Sequence, residues 1–306
     1  MEHTERPRAM RSRDDYIINF VAYFLCSLVL IATLYPLIYV VSASFSEPSE
    51  VINGNIWLLP KNVTLDGYEM ILDYDPIWIG YRNSLLYTVL GSVINMVMTV
   101  LCAYPLSRKD WLPRNFFMKF CLVTMYFGGG LIPTYLVVRN LRMTNTIWAM
   151  MIPCAMSFYN ALIVRSYFSN SIPHELQEAA ELDGANPMQY LIKVVLPLSK
   201  PVLAVVWLYY AVGHWNDYYT ALVYISDREL IPLQTALREV LMSASSIADM
   251  LHNGSSDLAM KMQEKQELAM SLKYTSIIAG IIPMMIAYPF VQKYFVRGVM
   301  VGAIKG

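Results

Sequence analysis

The chain has 306 residues, of which 56% are hydrophobic and 15% charged, with no formal net charge. A soluble domain carries about a quarter of its residues as Asp, Glu, Lys and Arg. The deficit excludes an ordinary water-facing surface, and the absent basic excess excludes a nucleic-acid footprint. Cys26, Cys102, Cys121 and Cys154 all fall in apolar stretches without CxxC spacing. They read as small buried hydrophobes rather than as disulfides or metal ligands.

The N-terminus is basic (Arg6, Arg8, Arg11, Arg13), and an uncharged run from Tyr16 to Ser46 follows. A signal-peptide core is about 7–15 residues, so this run reads as an uncleaved membrane helix. Crossing the hydrocarbon core takes about 20 apolar residues. Uncharged windows of that scale lie between Asp15 and Glu47, Arg82 and Arg108, Lys119 and Arg139, Arg142 and Arg165, Lys200 and Arg228, and Lys273 and Lys293. The pattern predicts an all-α polytopic protein with six spans, the fifth interrupted at His214 and Asp217. Continuous apolar runs without period-two alternation argue against strands.

Orientation is read from Lys and Arg in the short loops. The N-terminal tail, the segment Arg108–Lys119 and the C-terminal residues Lys293, Arg297 and Lys305 are basic, whereas Ser46–Tyr81 is acidic. Both termini are therefore expected in the cytoplasm, with Arg139 and Arg142 as a local exception. The expected division is a tail over 1–15, a first span over 16–46 and an external loop over 47–81. A core over 82–298 follows, with a cytoplasmic loop over 169–200 and a partly helical external loop over 226–273. A tail over 299–306 completes it. Asn53-Gly54 and Asp66-Gly67 read as turns in the first external loop.

The cytoplasmic stretch SIPHELQEAAELDGANPMQYLIKVVLPLSKP from Ser171 to Pro201 is rich in punctuation. Ser171 with Pro173 suits a helix start, and Gly184 suits its left-handed end. Asn186, Pro187 and Gln189 spell a capping box for a second helix reaching Leu196-Pro197. Glu175, Glu178 and Asp183 form an acidic edge beside Ala179 and Ala180, which present little bulk. The residues alone leave two readings, a helix that docks in a partner and an ordinary interfacial helix.

In span 5, Asp217 stands among His214, Trp215, Asn216 and Tyr218, with Tyr210 seven residues earlier. A carboxylate inside a membrane usually faces a cavity or partner, and aromatic rings stack on sugar faces, so a transport path is expected here. The alternative is an aromatic interfacial belt with Asp217 capping a helix break. Gly128-Gly129-Gly130 with Pro133 predicts a kink or unwound turn in span 3, because three glycines cost about 3 kcal/mol in a helix interior. Gly129 and the nearby Tyr135 are expected inside the bundle, either lining a cavity or packed against a neighbouring helix.

Glu178-Ala179-Ala180, Gly184 and Val194-x-Leu196-Pro197 resemble the EAA loop of binding-protein-dependent ABC importer permeases, with Val194 in place of isoleucine. Phe127–Tyr135, His214–Tyr219 and Gln292–Gly306 are similar to segments of the carbohydrate, MalG-type permeases, in particular the LplC/YtcP-like branch for oligosaccharides and polygalacturonan. The resemblance is strong over the last 180 residues or so and rests on hydropathy alone in the first third. It implies a type I importer permease (MetI-like) fold in a bacterial cytoplasmic membrane. It implies a coupling surface of Glu175, Glu178, Ala179, Ala180, Asp183, Gly184, Leu196 and Pro197 against an ATPase. The implied partners are a second permease, two ABC ATPase subunits, an extracytoplasmic solute-binding protein, a carbohydrate cargo and membrane lipid.

No G-x-x-x-x-G-K-[ST] phosphate loop, H-E-x-x-H or G-x-S-x-G occurs, and the four histidines are scattered (His3, His174, His214, His252). No catalytic residue, metal ligand or cofactor is therefore expected on this chain, with ATP and magnesium bound by the partner ATPase. A permease for a cargo other than sugar and a secondary transporter remain the alternatives, although no internal repeat supports the latter.

Overall fold

The computed structural model describes residues 13–153, 155–251 and 259–303. Cys154, His252, Lys305 and the arginines of the first twelve residues lie outside them. Among the described residues helices dominate, and extended pairing is confined to the isolated antiparallel bridge between Ser46 and Val63. In chain order the helices are α1 (Arg13–Ser44), α2 (Pro48–Ile52), α3 (Asp66–Leu72), α4 (Asp75–Ser107), α5 (Arg114–Tyr126), α6 (Leu131–Asn140), α7 (Ile147–Met151) and α8 (Phe158–Ser171). Then come α9 (Glu175–Leu182), α10 (Pro187–Tyr190), a π-helical turn (Leu191–Val195), α11 (Leu196–Leu198), α12 (Lys200–Trp215), α13 (Tyr219–Tyr224), α14 (Leu233–Leu251) and α15 (Ala259–Ala303). In the long apolar helices the helical content follows from the medium, since only helices and closed barrels satisfy every backbone group in lipid.

Two compact units are present. The first holds residues 1–69 and 244–278. Its α1 exposes every side chain from Tyr16 to Leu37, as a helix solvated by lipid does. That exposure includes Cys26, so the expectation of four buried cysteines fails here. A thiol in an apolar stretch need not be buried when lipid is the solvent. The end of α1 is tied down: Ser42 Oγ donates to Leu58 O at 2.6 Å, and Ser44 Oγ pairs with Tyr68 OH at 2.8 Å. Gly54 has φ +69° and makes the expected turn. Asp66-Gly67 instead opens α3, where a side chain on residue 67 would run into Ser271 and Thr275.

The second unit holds residues 70–243 and 279–306, and α4 is its mast, packed chiefly on α12 and α8. The buried residues of α4 recur every three or four positions: Gly80, Asn83, Ser84, Tyr87, Gly91, Ser92, Asn95, Thr99, Ala103 and Leu106. Most are small or polar, the pattern that lets helices approach closely where no hydrophobic force drives them together. Gly91 leaves room for the His214 imidazole, which any Cβ there would strike. His214 Nε2 pairs with Asn95 Oδ1 at 2.7 Å, and Thr99 Oγ1 pairs with Tyr210 OH at 2.7 Å. A core of Ala103, Val164, Phe168, Tyr190, Leu191, Val195, Val202 and Val206 closes the end nearest α9.

By length and composition three helices among the described residues, α1, α4 and the Ala269–Ile286 part of α15, suffice to cross a membrane. Two bent pairs raise this to as many as five. The window between Arg142 and Arg165 is not one helix, because Pro153 interrupts it and α7 and α8 are separate. The window around the glycines is also broken: α5 and α6 meet at 113°. Phe127–Gly130 is non-helical and Gly130 has φ +82°. The helix break is as expected, but Gly128, Gly129 and Gly130 are exposed on this chain rather than inside its bundle. Their flanks Tyr126 and Phe127 are 75% and 78% exposed.

Candidate functional site

The segment from Glu175 to Leu198 forms a helical hairpin on the second unit. Its first helix does not start at Ser171, which is the last residue of α8; α9 begins at Glu175 without a side-chain cap. The turn is fully specified. Gly184 adopts φ +76°, its N–H bonds Glu181 O at 3.1 Å, and Ala185 N–H bonds Ala180 O at 2.9 Å. These are the two bonds of a Schellman closure. Asn186 Oδ1 then accepts Gln189 N–H at 2.9 Å, and Gln189 Oε1 accepts Asn186 N–H at 3.0 Å, the expected capping box. The backbone of the turn is thus satisfied by itself and by two side chains, at both helix ends it joins.

The remaining side chains divide cleanly. Glu175, Glu178, Ala179, Asp183 and Gly184 are exposed, with Asp183 just past the helix end. Ala180 is half-buried and packs against the core that includes Val164 and Phe168. Pro197 is exposed, and Leu196 packs against that core. Leu182, which sequence reasoning missed, is 90% exposed, and Leu176 and Met188 are 40% and 53% exposed. Leu182 stands out of phase with Gln177 and Ala180, the half-buried positions of α9, and is the last helical residue before Asp183-Gly184. That is the signal that would have found it.

The inner side is fastened to the end of α4. Arg108, whose side chain is 12% exposed, pairs with Asp110 at 2.6 Å and with Glu181 at 3.1 Å. Its Nη1 donates to Tyr104 OH at 3.1 Å, and Tyr104 OH donates to Pro187 O at 3.0 Å. Donation to the Asp110 carboxylate raises the Arg108 pKa, and the same bonds lower that of Asp110. A cleft of about 340 Å³ opens beside this network, lined by Tyr104, Arg108, Lys109, Asn170, His174 and Tyr190 among others.

The break after α12 is of a different kind. Asp217 Oδ1 accepts Thr220 N–H at 3.0 Å, so its carboxylate caps the start of α13, as the second sequence reading had it. Tyr210 is buried, its OH shared between Thr99 and Ser157 N–H at 3.1 Å. Trp215 is buried and donates to Gly280 O at 3.1 Å. Neither faces open space on this chain. Asn216 is exposed and donates to Val212 O at 2.9 Å. Tyr218 is 43% exposed with the Arg238 guanidinium 5.3 Å over its ring. Tyr135 stacks on Tyr224 at 5.9 Å, apart from that group. Gly129 lies in the exposed linker between α5 and α6, where an added side chain would meet Pro133 at 4.0 Å.

Known proteins with this organisation are permeases. YtcP of Bacillus subtilis (strain 168), a polygalacturonan/rhamnogalacturonan transport system permease protein, is 37% identical over 92% of this chain and 96% of its own. LplC of the same organism is 35% identical over 90% of both chains. One chain in the crystal structure of a bacterial ABC transporter involved in the import of the acidic polysaccharide alginate superposes with a TM-score of 0.81. It is 35% identical, over 94% of this chain and 99% of that one. The profile of the family described as binding-protein-dependent transport system inner membrane component matches residues 76–301. This chain therefore belongs to that family of ABC importer permeases, with the MetI-like permease fold, and is a multi-pass protein of the bacterial plasma membrane.

Proposed function

We propose that this chain is one of two membrane-spanning permease subunits of an ATP-driven importer of oligosaccharide or polysaccharide, and that the α9–α11 hairpin receives the push of the ATPase. The observation that carries the proposal is the hairpin's construction. Its backbone is closed on itself, leaving Leu182, Glu178, Ala179 and Asp183 exposed for a partner. A projecting leucine inside an acidic, small-residue surface suits a pocket with an apolar floor and a basic rim. The carbohydrate assignment rests on what the relatives carry by name, polygalacturonan/rhamnogalacturonan for one and alginate for the assembly of another.

In this reading both termini and the hairpin are cytoplasmic, and the chain crosses six times, with α5–α6 and α7–α8 each counted as one broken crossing. Two ATPase subunits bind ATP and magnesium, a second permease completes the path, and a solute-binding protein delivers cargo from outside. Alternating access moves the cargo past Asn216, Asp217 and Tyr218, with Tyr210 and Trp215 supporting them from behind and Gly129 and Tyr135 facing the second permease. Chemistry stays with the ATPase.

The test is purification of the complex from cells expressing all subunits, with the cognate binding protein and a panel of neutral and acidic oligosaccharides. The expected result is that wild-type chain retains the ATPase and that one class of glycan stimulates hydrolysis, while Leu182→Asp loses the ATPase. Full retention and full stimulation in Leu182→Asp would remove the hairpin from the docking role.

A further inference from the structure

Resting on the docking role of the hairpin, the geometry points to α4 as the rod that carries hairpin displacement across the membrane, gripped at one end through Tyr104 and Arg108 and at the other through Asn83, Ser84 and Tyr87. At the hairpin end the grip takes both helices. Arg108 holds Glu181 of α9 at 3.1 Å, and Tyr104 holds the Pro187 carbonyl of α10 at 3.0 Å. Gln177 Nε2 braces Glu181 from the same helix at 2.9 Å. Pro105, in the last turn of α4, lies between the two gripping residues, so the grip spans the one interruption of the ladder.

At the far end Asn83, Ser84 and Tyr87 all bond the backbone of one segment, beside an exposed Arg82–Glu229 ion pair at 3.9 Å and a Tyr81 bond to Ala279 O. Asn83 Nδ2 donates to Glu229 O at 2.7 Å and Ile231 O at 3.1 Å. Tyr87 OH donates to Leu230 O at 2.8 Å, and Leu233 N–H donates to Ser84 Oγ at 2.9 Å. These bonds fasten the segment that enters α14 whatever side chains it carries. Asn83 and Arg108 are separated by about 37 Å of helix at 1.5 Å per residue. A hydrogen-bonded helix transmits displacement over that distance, where a loop held by side chains would absorb it. The His214–Asn95 and Tyr210–Thr99 bonds lock α12 to the same rod between its ends. A move of the hairpin therefore reaches the 229–233 segment and α12 together.

Tyr104 and Arg108 are positioning residues in this scheme. The test uses the complete transporter in lipid vesicles with its binding protein and cargo, reading cargo-stimulated hydrolysis, cargo taken up per ATP, and ATPase retained on purification. Tyr104→Phe, Arg108→Gln, Glu181→Gln and Asn83→Ala should each retain the ATPase yet lower stimulation and uptake per ATP about threefold or more. Arg108→Gln/Glu181→Gln should be no worse than the worse single change, and Arg108→Lys should recover most of the loss. Full stimulation in the single variants, or losses in the double variant that multiply, would overturn the rod. Tyr104→Phe removes one hydroxyl from the folded protein, so it decides the matter where Arg108→Gln fails to assemble. Gly184→Asp serves as the control for the underlying reading. If it is harmless the docking role itself falls, whereas a damaged Gly184→Asp beside an intact Tyr104→Phe sinks the rod alone.

Discussion

The hairpin of α9–α11 and the break between α12 and α13 both look, in sequence, like polar punctuation set in an apolar chain, yet they use their polar groups in opposite ways. In the hairpin the backbone closes its own turn through Gly184 and Ala185, helped by Asn186 and Gln189. Leu182 and Asp183 are then left exposed, and Glu178, also exposed, pairs with His174 of the same surface at 3.3 Å. In the break the side chains are spent: Asp217 caps α13, Trp215 bonds Gly280 and Tyr210 is shared between Thr99 and Ser157. A satisfied backbone is what releases side chains for a partner. Where the backbone is interrupted without such closure, the side chains must supply it.

This contrast predicts that hairpin surface changes impair coupling without unfolding the protein, while changes at the break unfold before they impair transport. The largest effect is expected from Leu182→Asp, which should reduce ATPase retention tenfold or more, about the effect of losing a buried interface anchor, with an unchanged thermal midpoint. A midpoint that fell in parallel would erase the distinction. Gly91→Val comes next. Its side chain meets the His214 ring, and overpacking of this kind costs about 1–3 kcal/mol. Thermal unfolding of the purified complex should show it.

Asp217 sharpens the comparison further. Asparagine caps as well as aspartate, and alanine costs about 1 kcal/mol. Asp217→Asn should therefore keep the wild-type midpoint and Asp217→Ala should lower it. Uptake lost in Asp217→Asn at an unchanged midpoint would give the carboxylate a role in transport beyond its cap.

The smallest effect concerns Asp110. Its pKa is lowered in the folded chain by the Arg108 hydrogen bond. The ionised pair therefore adds stability above the unfolded carboxylate value of about 3.9 and loses it as pH falls through the lower folded value. Half exposed, with its side chain 55% accessible, the pair contributes little. The midpoint gap between wild type and Asp110→Asn should be small at pH 7 and close in strong acid.

Much of the hairpin was legible because its rules are local. Gly184, Asn186-Pro187 and Gln189 announce their geometry within four residues of themselves. The glycine break after α5 was legible for the same reason. What sequence could not supply was direction. Ala179 and Ala180 are neighbours of one type, but only the three-dimensional path turns Ala180 to the core and leaves Ala179 outside. Between Arg142 and Arg165 uncharged length likewise marks an apolar window but not the break near Pro153 that divides it into α7 and α8. The Arg108–Glu181 tie spans 73 residues, and no short-range pattern foretells it.

The π-helical turn Leu191–Val195 carries a consequence of another sort. Such a turn holds an extra residue compared with the α-helical ladder, and it lies in the second arm of the hairpin between α10 and α11, ahead of a bend of 84° into α12. A change of one residue in an unbroken α-helix swings what lies beyond it by about 100°, one residue's share of a 3.6-residue turn, whereas this wider turn takes up its extra residue within itself. The compass heading of Leu182 is therefore tolerant of the residue count in this one stretch. A single-codon deletion within Leu191–Val195 should leave the hairpin aimed as it is, and the same deletion within α12 should swing it aside.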